Sequence, residues 1–261
     1  MTMDNTNMSK LAYSKGFSLI SLMVAMLIGI FIIAAAGKVY VKSKSSFNAR
    51  SALSTMTENG HFALQDLRRT LIMAGMGIKA SEAYSSSSRS IPPIGSGTTV
   101  GTGQNSDGVA VRYRRGNSCG GYIDSPHPLA PATLRFFVGG VDGQQLMCQK
   151  DAEMPQPLVS GIKVMKVLYG VDDTADGYAN RYLNATQVNV LGKWINIVSI
   201  RIGLVVDSAE YKLPVEMRGT AAYDLTLLGM TYTVPANDEK TYKVFTTTVQ
   251  LRNLNAIMQQ Q

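Results

Sequence analysis

The sequence predicts an α+β fold: one long N-terminal helix, membrane-spanning in its first half, packed through its second half on an antiparallel β-sheet head. Three observations predict it. The run Phe17 to Ala36 is apolar, uncharged and 20 residues long, so as a helix it spans about 30 Å and can cross a bilayer once. Beyond it, Leu53, Met56, Gly60, Ala63, Leu67, Leu71 and Ala74 recur at steps of three or four, the apolar stripe of a helix with one buried face. From residue 109 onward, short alternating segments follow one another without a ten-residue helical pattern between them, which favours antiparallel pairing over βαβ crossovers.

Composition sets the frame. A chain of 261 residues, 45% of them hydrophobic, can bury one good core or two small ones and is neither disordered nor a multispan membrane protein. Charged residues make up 16% of it, against about 25% in soluble domains. The deficit has an address in the uncharged stretch Gly16–Gly37. The formal net charge of +7 divides into +1 for residues 1–16, +5 between Lys38 and Lys79, and +1 from Ala80 onward. The basic excess therefore lies just past the apolar run, where anionic lipid or acidic neighbours can meet it, and the head is close to neutral.

At the N-terminus, the polar segment MTMDNTNMSKLAYSKG carries Lys10 and Lys15, and three readings of it compete. A cleaved secretory signal wants an apolar region of about 7 to 15 residues before a small-x-small site. Ala34-Ala35-Ala36 offers such a site, but the apolar run is too long and the helical pattern continues past it. A plain signal anchor is the second reading, and basic residues on both sides of the span leave its orientation open. The third rests on Lys15-Gly16-Phe17-Ser18-Leu19-Ile20. This junction resembles the class III leader of type IV prepilins and type II secretion pseudopilins: a short basic leader, a glycine, then Phe heading an uninterrupted apolar helix.

The resemblance implies a cut between Gly16 and Phe17 by a membrane-embedded prepilin peptidase, and N-methylation of the new terminus at Phe17. A glycine at the cut suits it, because a residue without Cβ lets the peptidase approach the backbone. One departure stands out. Most members of the family carry Glu at the fifth mature position, where it neutralises the terminal amine of a neighbouring subunit inside an apolar filament; here that position is Ser21. Ser21 fits a subunit at or near the filament tip, and equally fits tolerated drift.

The remaining elements follow in order. Residues 1–16 read as leader, 17–37 as the transmembrane helix, and 38–76 as its extracytoplasmic half, ending near Ala74 at Gly75 and Gly77. Gly29 and Gly37 are places for bending or close packing. Residues 77–108 form a Ser/Gly/Pro-rich connector whose Gly95, Gly97 and Gly101 have the wrong spacing for a nucleotide loop. Residues 109–261 form the β-rich head. Strands are expected at Val109–Tyr113, at Leu134–Val138, at Ile162–Tyr169, over the strict alternation Val198 to Val206, and from Phe245 to Leu251. One face of the sheet should pack on the helix.

Within the head, SDGVAVRYRRG (106–116), PLVSGIKVMKVLYGVDDTADG (157–177), WINIVSIRI (194–202) and QLRNL (250–254) resemble the PilW-type minor pilins of the type IVa pilus. The helix segment ENGHFALQDLRRTLIMAGM (58–76) does too. The resemblance implies a type IV pilin-like subunit that works with other minor pilins, the major pilin and a tip adhesin to prime fibre assembly. It implies a single-pass protein of the inner membrane with its head in the periplasm, later carried into the surface fibre, with roles in twitching motility and adhesion.

Chemistry is sparse. In an extracytoplasmic head, Cys119 and Cys148 read as one disulfide. Metal ligation is the rival, and two Cys without neighbouring His make a poor site. Gly116-Asn117-Ser118-Cys119-Gly120 matches the G-x-S-x-G pattern of hydrolases, but Gly120-Gly121 and then Pro126 and Pro128 follow where a helix is required. His127 lies between those prolines and His61 lies on the helix, so no catalytic triad is expected. No catalytic residue and no cofactor are assigned. Asp172, Asp173 and Asp176, followed by Gly177, are a weak calcium candidate, since the alternating ligands and closing Glu of a calcium loop are missing and Asp-Gly is ordinary turn chemistry.

Two rivals to the minor-pilin reading remain. A type II secretion minor pseudopilin shares leader and shaft. A DNA-uptake receptor on a competence pilus would need a basic face, and only Arg112, Arg114 and Arg115 cluster, on a strand that divides its side chains between two faces. Nucleic acid is accordingly disfavoured as a partner.

Overall fold

The computed structural model describes residues 18–78, 106–114, 119, 131–140 and 144–253. The cleavage junction Gly16/Phe17, Arg115, Ser118, His127 and most of the connector lie outside the described residues.

Helix α1 runs from Leu19 to Ile72. The chain divides into two compact units at Phe47/Asn48. In the first unit the helix is apolar all round up to Gly37, with Ile20, Phe31 and Ile33 each more than 70% exposed, and it is long and apolar enough to cross a membrane. Such a surface is what lipid would cover.

In the second unit α1 is one-sided. Its buried residues are Ala52, Met56, Gly60, Ala63, Leu67, Thr70 and Leu71, which is the expected stripe shifted at its start: Leu53 stands 51% exposed and Ala52 takes the inward position. At 3.6 residues per turn Ala52, Met56, Gly60 and Ala63 fall on one line, whereas Leu53 sits about 100° round from Ala52. Gly60 is required by its neighbour, because a Cβ there would lie 2.6 Å from the ring of Phe245. The helix stops two residues before Ala74, in a turn over residues 73–77 that uses positive φ at Gly75 (79°) and Gly77 (65°).

Among the described residues the head is antiparallel throughout, as expected, but it holds two four-stranded sheets and a separate hairpin rather than one sheet. The first sheet is a meander of β1 (Val109–Tyr113), β2 (Ala132–Gly139), β3 (Gln145–Lys150) and β4 (Gln156–Ser160). The second has the order β10-β7-β5-β6, built from β5 (Ile162–Val171), β6 (Arg181–Leu183), β7 (Ile197–Asp207) and β10 (Tyr242–Gln250). The chain passes between sheets at Gly161, whose φ of 77° turns the corner and whose missing Cβ leaves room for Asp207 Oδ1, 2.9 Å from where that atom would be. Leu67, Leu71, Val111, Phe136, Leu146, Met165, Ile200, Ile202 and Phe245 belong to one core that joins the helix to both sheets.

The hairpin of β8 (Tyr223–Leu227) and β9 (Met230–Val234) has its own small core. Leu227, Tyr232 and Val234 pack with Val164 and Val205 of the second sheet. Successive strand residues point to opposite faces, so Val205 meets the hairpin while Leu204 and Val206 belong to the main core. Helix α2 (Ala185–Val190) is started by a capping box, with Asn184 accepting from the Gln187 N–H and the Gln187 side chain accepting from the Asn184 N–H.

Candidate functional site

Among the described residues, the side chains singled out in the sequence do not gather at one site. Ser21 sits exposed in the first turns of α1. His61 lies edge-on to Phe245, with ring centroids 5.4 Å apart. Cys119 and Cys148 form a disulfide, with Cα atoms 5.7 Å apart, tying the stretch after β1 to β3. Cys119 of the G-x-S-x-G pattern is thus held in a cross-link.

Around Asp172 the structure supplies a different use for the carboxylates from metal binding. Asp172 is 3% exposed and its carboxylate accepts from the backbone N–H groups of Thr174 (3.0 Å), Ala175 (2.7 Å) and Gly177 (2.7 Å). Burial works to raise its pKa, and the N–H groups of Gly177, Ala175, Thr174 and Asp176 outweigh it, leaving the carboxyl below its ordinary 3.8. Asp173 pairs with Arg181 at 2.8 Å and with Lys193 at 3.5 Å, and Asp176 accepts from the Tyr178 N–H. Each of the three carboxylates folds the loop. Among the described residues no group of three or more His, Cys, Asp or Glu side chains is placed to hold a metal.

Arg112 and Arg114 belong to the seam between helix end and first sheet. The Gly75 N–H donates to the Arg112 carbonyl and the Arg114 N–H to the Met76 carbonyl, both at 2.9 Å. Their backbones thereby fasten the turn after α1 along β1.

Two buried carboxylates escaped the sequence reading. Asp207 is fully buried; its Oδ1 accepts from the Ala209 N–H at 2.7 Å, while its Oδ2 meets Lys240 at 2.9 Å and Lys163 at 3.5 Å. Burial lowers the Lys163 pKa, with the Asp207 carboxylate working against it. Asp107 accepts from the Val167 N–H and from Lys166, both at 3.1 Å, while its own N–H donates to the Met165 carbonyl at 2.7 Å. Both fasten one element to another. The only signal for Asp207 was its place at the end of a strictly apolar alternation, where an ordinary strand would already have left the core.

Residues 135–253 match the family model of PilW, described as Type IV Pilus-assembly protein W. Over that stretch the sequence is similar to the PilW family. The PilW match takes in β3 to β10 entire. No curated protein sequence matches the chain. Among solved structures, the chain is similar to a type IV-like pilin, TTHA1219 from Thermus thermophilus, at 13% identity and a TM-score of 0.43, covering 76% of this chain and 97% of that one.

Proposed function

We propose that the chain is a minor type IV pilin, whose mechanism is assembly. The observation that carries the reading is the PilW match over residues 135–253, on an antiparallel head preceded by an apolar helix with the length of a membrane span. In this reading residues 1–16 are a leader removed by prepilin peptidase, Phe17 becomes the methylated N-terminus, and residues 17–37 hold the subunit in the inner membrane. Residues 38–76 carry the buried stripe that docks the head, residues 77–108 connect, and the head from residue 109 meets other minor pilins, the major pilin and a tip adhesin. The part it plays is to prime the fibre and join its tip complex, with twitching motility and adhesion depending on it.

Intact-mass measurement of the membrane form tests the class directly. The expected species begins at Phe17 and carries one extra methyl group. A chain that keeps its first 16 residues, or one cut after Ala36, sinks the proposal. Deleting the gene should abolish twitching and leave exoprotein secretion unchanged; the opposite result assigns the subunit to a secretion pseudopilus.

A further inference from the structure

The two four-stranded sheets present four outer edges, and three of them are blunted. At β1, the turn after α1 occupies the edge through the hydrogen bonds to Arg112 and Arg114. Edge strand β4 has five residues and includes Pro157, which cannot donate to a further strand. On the β5 side, β6 covers three residues, and Ser106 and Asp107 take the next stretch by bonding Met165 and Val167. Edges treated in these ways do not recruit foreign strands.

The fourth edge is β10. It is nine residues long, about 30 Å, contains no proline, and among the described residues pairs with β7 alone. Its register with β7 runs without a bulge from Tyr242↔Asp207 to Gln250↔Ser199. At its two ends the Ser208 N–H donates to the Thr241 carbonyl and the Leu251 N–H to the Val198 carbonyl. Hydrogen-bonded pairs in an antiparallel ladder recur every second residue, so odd-numbered residues face β7. The N–H and C=O groups of Tyr242, Val244, Thr246, Thr248 and Gln250 therefore point away from the sheet. The side chains of Thr246, Thr248 and Gln250 are exposed. From Tyr242 to Arg252 the only charged residues are Lys243 and Arg252, and Lys243 lies over the Phe245 ring, 5.4 Å from its centroid.

We propose that the outer edge of β10 is a docking edge that takes an extended, carboxylate-bearing segment of another pilus subunit as an added strand. The repeating N–H and C=O groups call for a strand, and the cations at either end call for carboxylates. A second copy of β10 would bring only cations to that edge, so the occupant is a different subunit. The proposal rests on the pilus-subunit reading for the source of the strand; that β10 pairs with β7 alone among the described residues stands without it.

The test uses the full-length chain in cells, with a photoreactive benzoylphenylalanine placed at Thr248. Irradiation should yield a crosslink to one extended segment of a sibling pilin. Thr246→Pro removes only an outward N–H, and should cut that crosslink at least about tenfold while the unreduced protein keeps its melting temperature. Thr246→Glu leaves the backbone intact and should cut it by repelling the carboxylate, whereas Thr246→Lys should retain it; this pair serves if the proline variant unfolds. A stable Thr246→Pro protein with an undiminished crosslink, or a crosslink only to a second copy, overturns the docking edge. A chain whose mass shows no start at Phe17, crosslinked through Thr248 to a protein of another system, overturns the pilus reading and with it the named partner.

Discussion

At the scale of single residues, two positions in the head turn on one atom or one proton. Gly203 lies in the middle of β7, and a Cβ there would stand 2.3 Å from Leu227 Cδ1 and 3.2 Å from Leu228 Cδ1. Leu227 is fully buried in the hairpin's small core, where a shift of its side chain disturbs its neighbours. Gly203→Ala should therefore lift the hairpin from the sheet at a cost of about 1 to 3 kcal/mol, read as a lower melting temperature, despite the better strand propensity of alanine. Asp172 turns on a proton. Its folded pKa lies below the ordinary 3.8, so between the two values the unfolded chain binds more protons and stability rises with pH. The stabilisation is present above the unfolded pKa and is lost as pH falls through the folded one. Asp172→Asn should cost about 1 to 3 kcal/mol near neutrality and flatten the acid limb of the stability curve below pH 4, as followed by denaturant titration. An unchanged acid limb in the variant would show that the loop carboxylate does not govern it. Asp172 was legible in the sequence as a turn residue; its three short N–H bonds were not, because they depend on positive φ at Ala175 (62°) and Gly177 (83°).

At the scale of elements, the strands found in the sequence are those that alternate, β1, β7 and β10, or that read as apolar runs, β2 and β5. Those missed have other signals. QLMCQK (β3) and QPLVS (β4) do not alternate cleanly, and β6 has only three residues. The hairpin does alternate, Leu225 and Leu227 against Tyr232 and Val234, but it turns through Leu228 (φ 48°) and Gly229 (φ 82°), and leucine is not a residue that announces a turn. Helix α1 shows the same division: its period is plain, while Ala52 rather than Leu53 takes the inward position on the line through Met56, Gly60 and Ala63. The disulfide acts at this scale too, joining the stretch beyond β1 to the middle of β3 across a sequence separation of 29. Reduction should lower stability by about 3 to 4 kcal/mol in the chain-entropy account. The measurement is a shift in denaturation midpoint with reductant, and a Cys119→Ser/Cys148→Ser chain should show the lower value without responding to reductant.

At the scale of the whole molecule, charge, apolar surface and backbone edges divide the labour. The apolar run supplies part of the deficit in charge, the basic excess follows it along the helix, and the nearly neutral head carries its few buried carboxylates inside as fasteners. Periodicity and composition are local properties, so the sequence by itself determined an apolar helix long enough to span a membrane, the one-sided helix after it, the antiparallel character of the head and the stretch 135–253 that matches the PilW model. Strand partners, sheet number and exposed edges are set by contacts between residues far apart in the chain. Only the tertiary structure decided that the corner at Gly161 splits the strands between two sheets, that the hairpin covers the second face of one of them, and that β10 keeps a row of backbone groups turned outward. The physical reason is that a strand's side-chain alternation says which face it buries, whereas its hydrogen-bonding edges are filled or left open by whatever the rest of the chain places beside them.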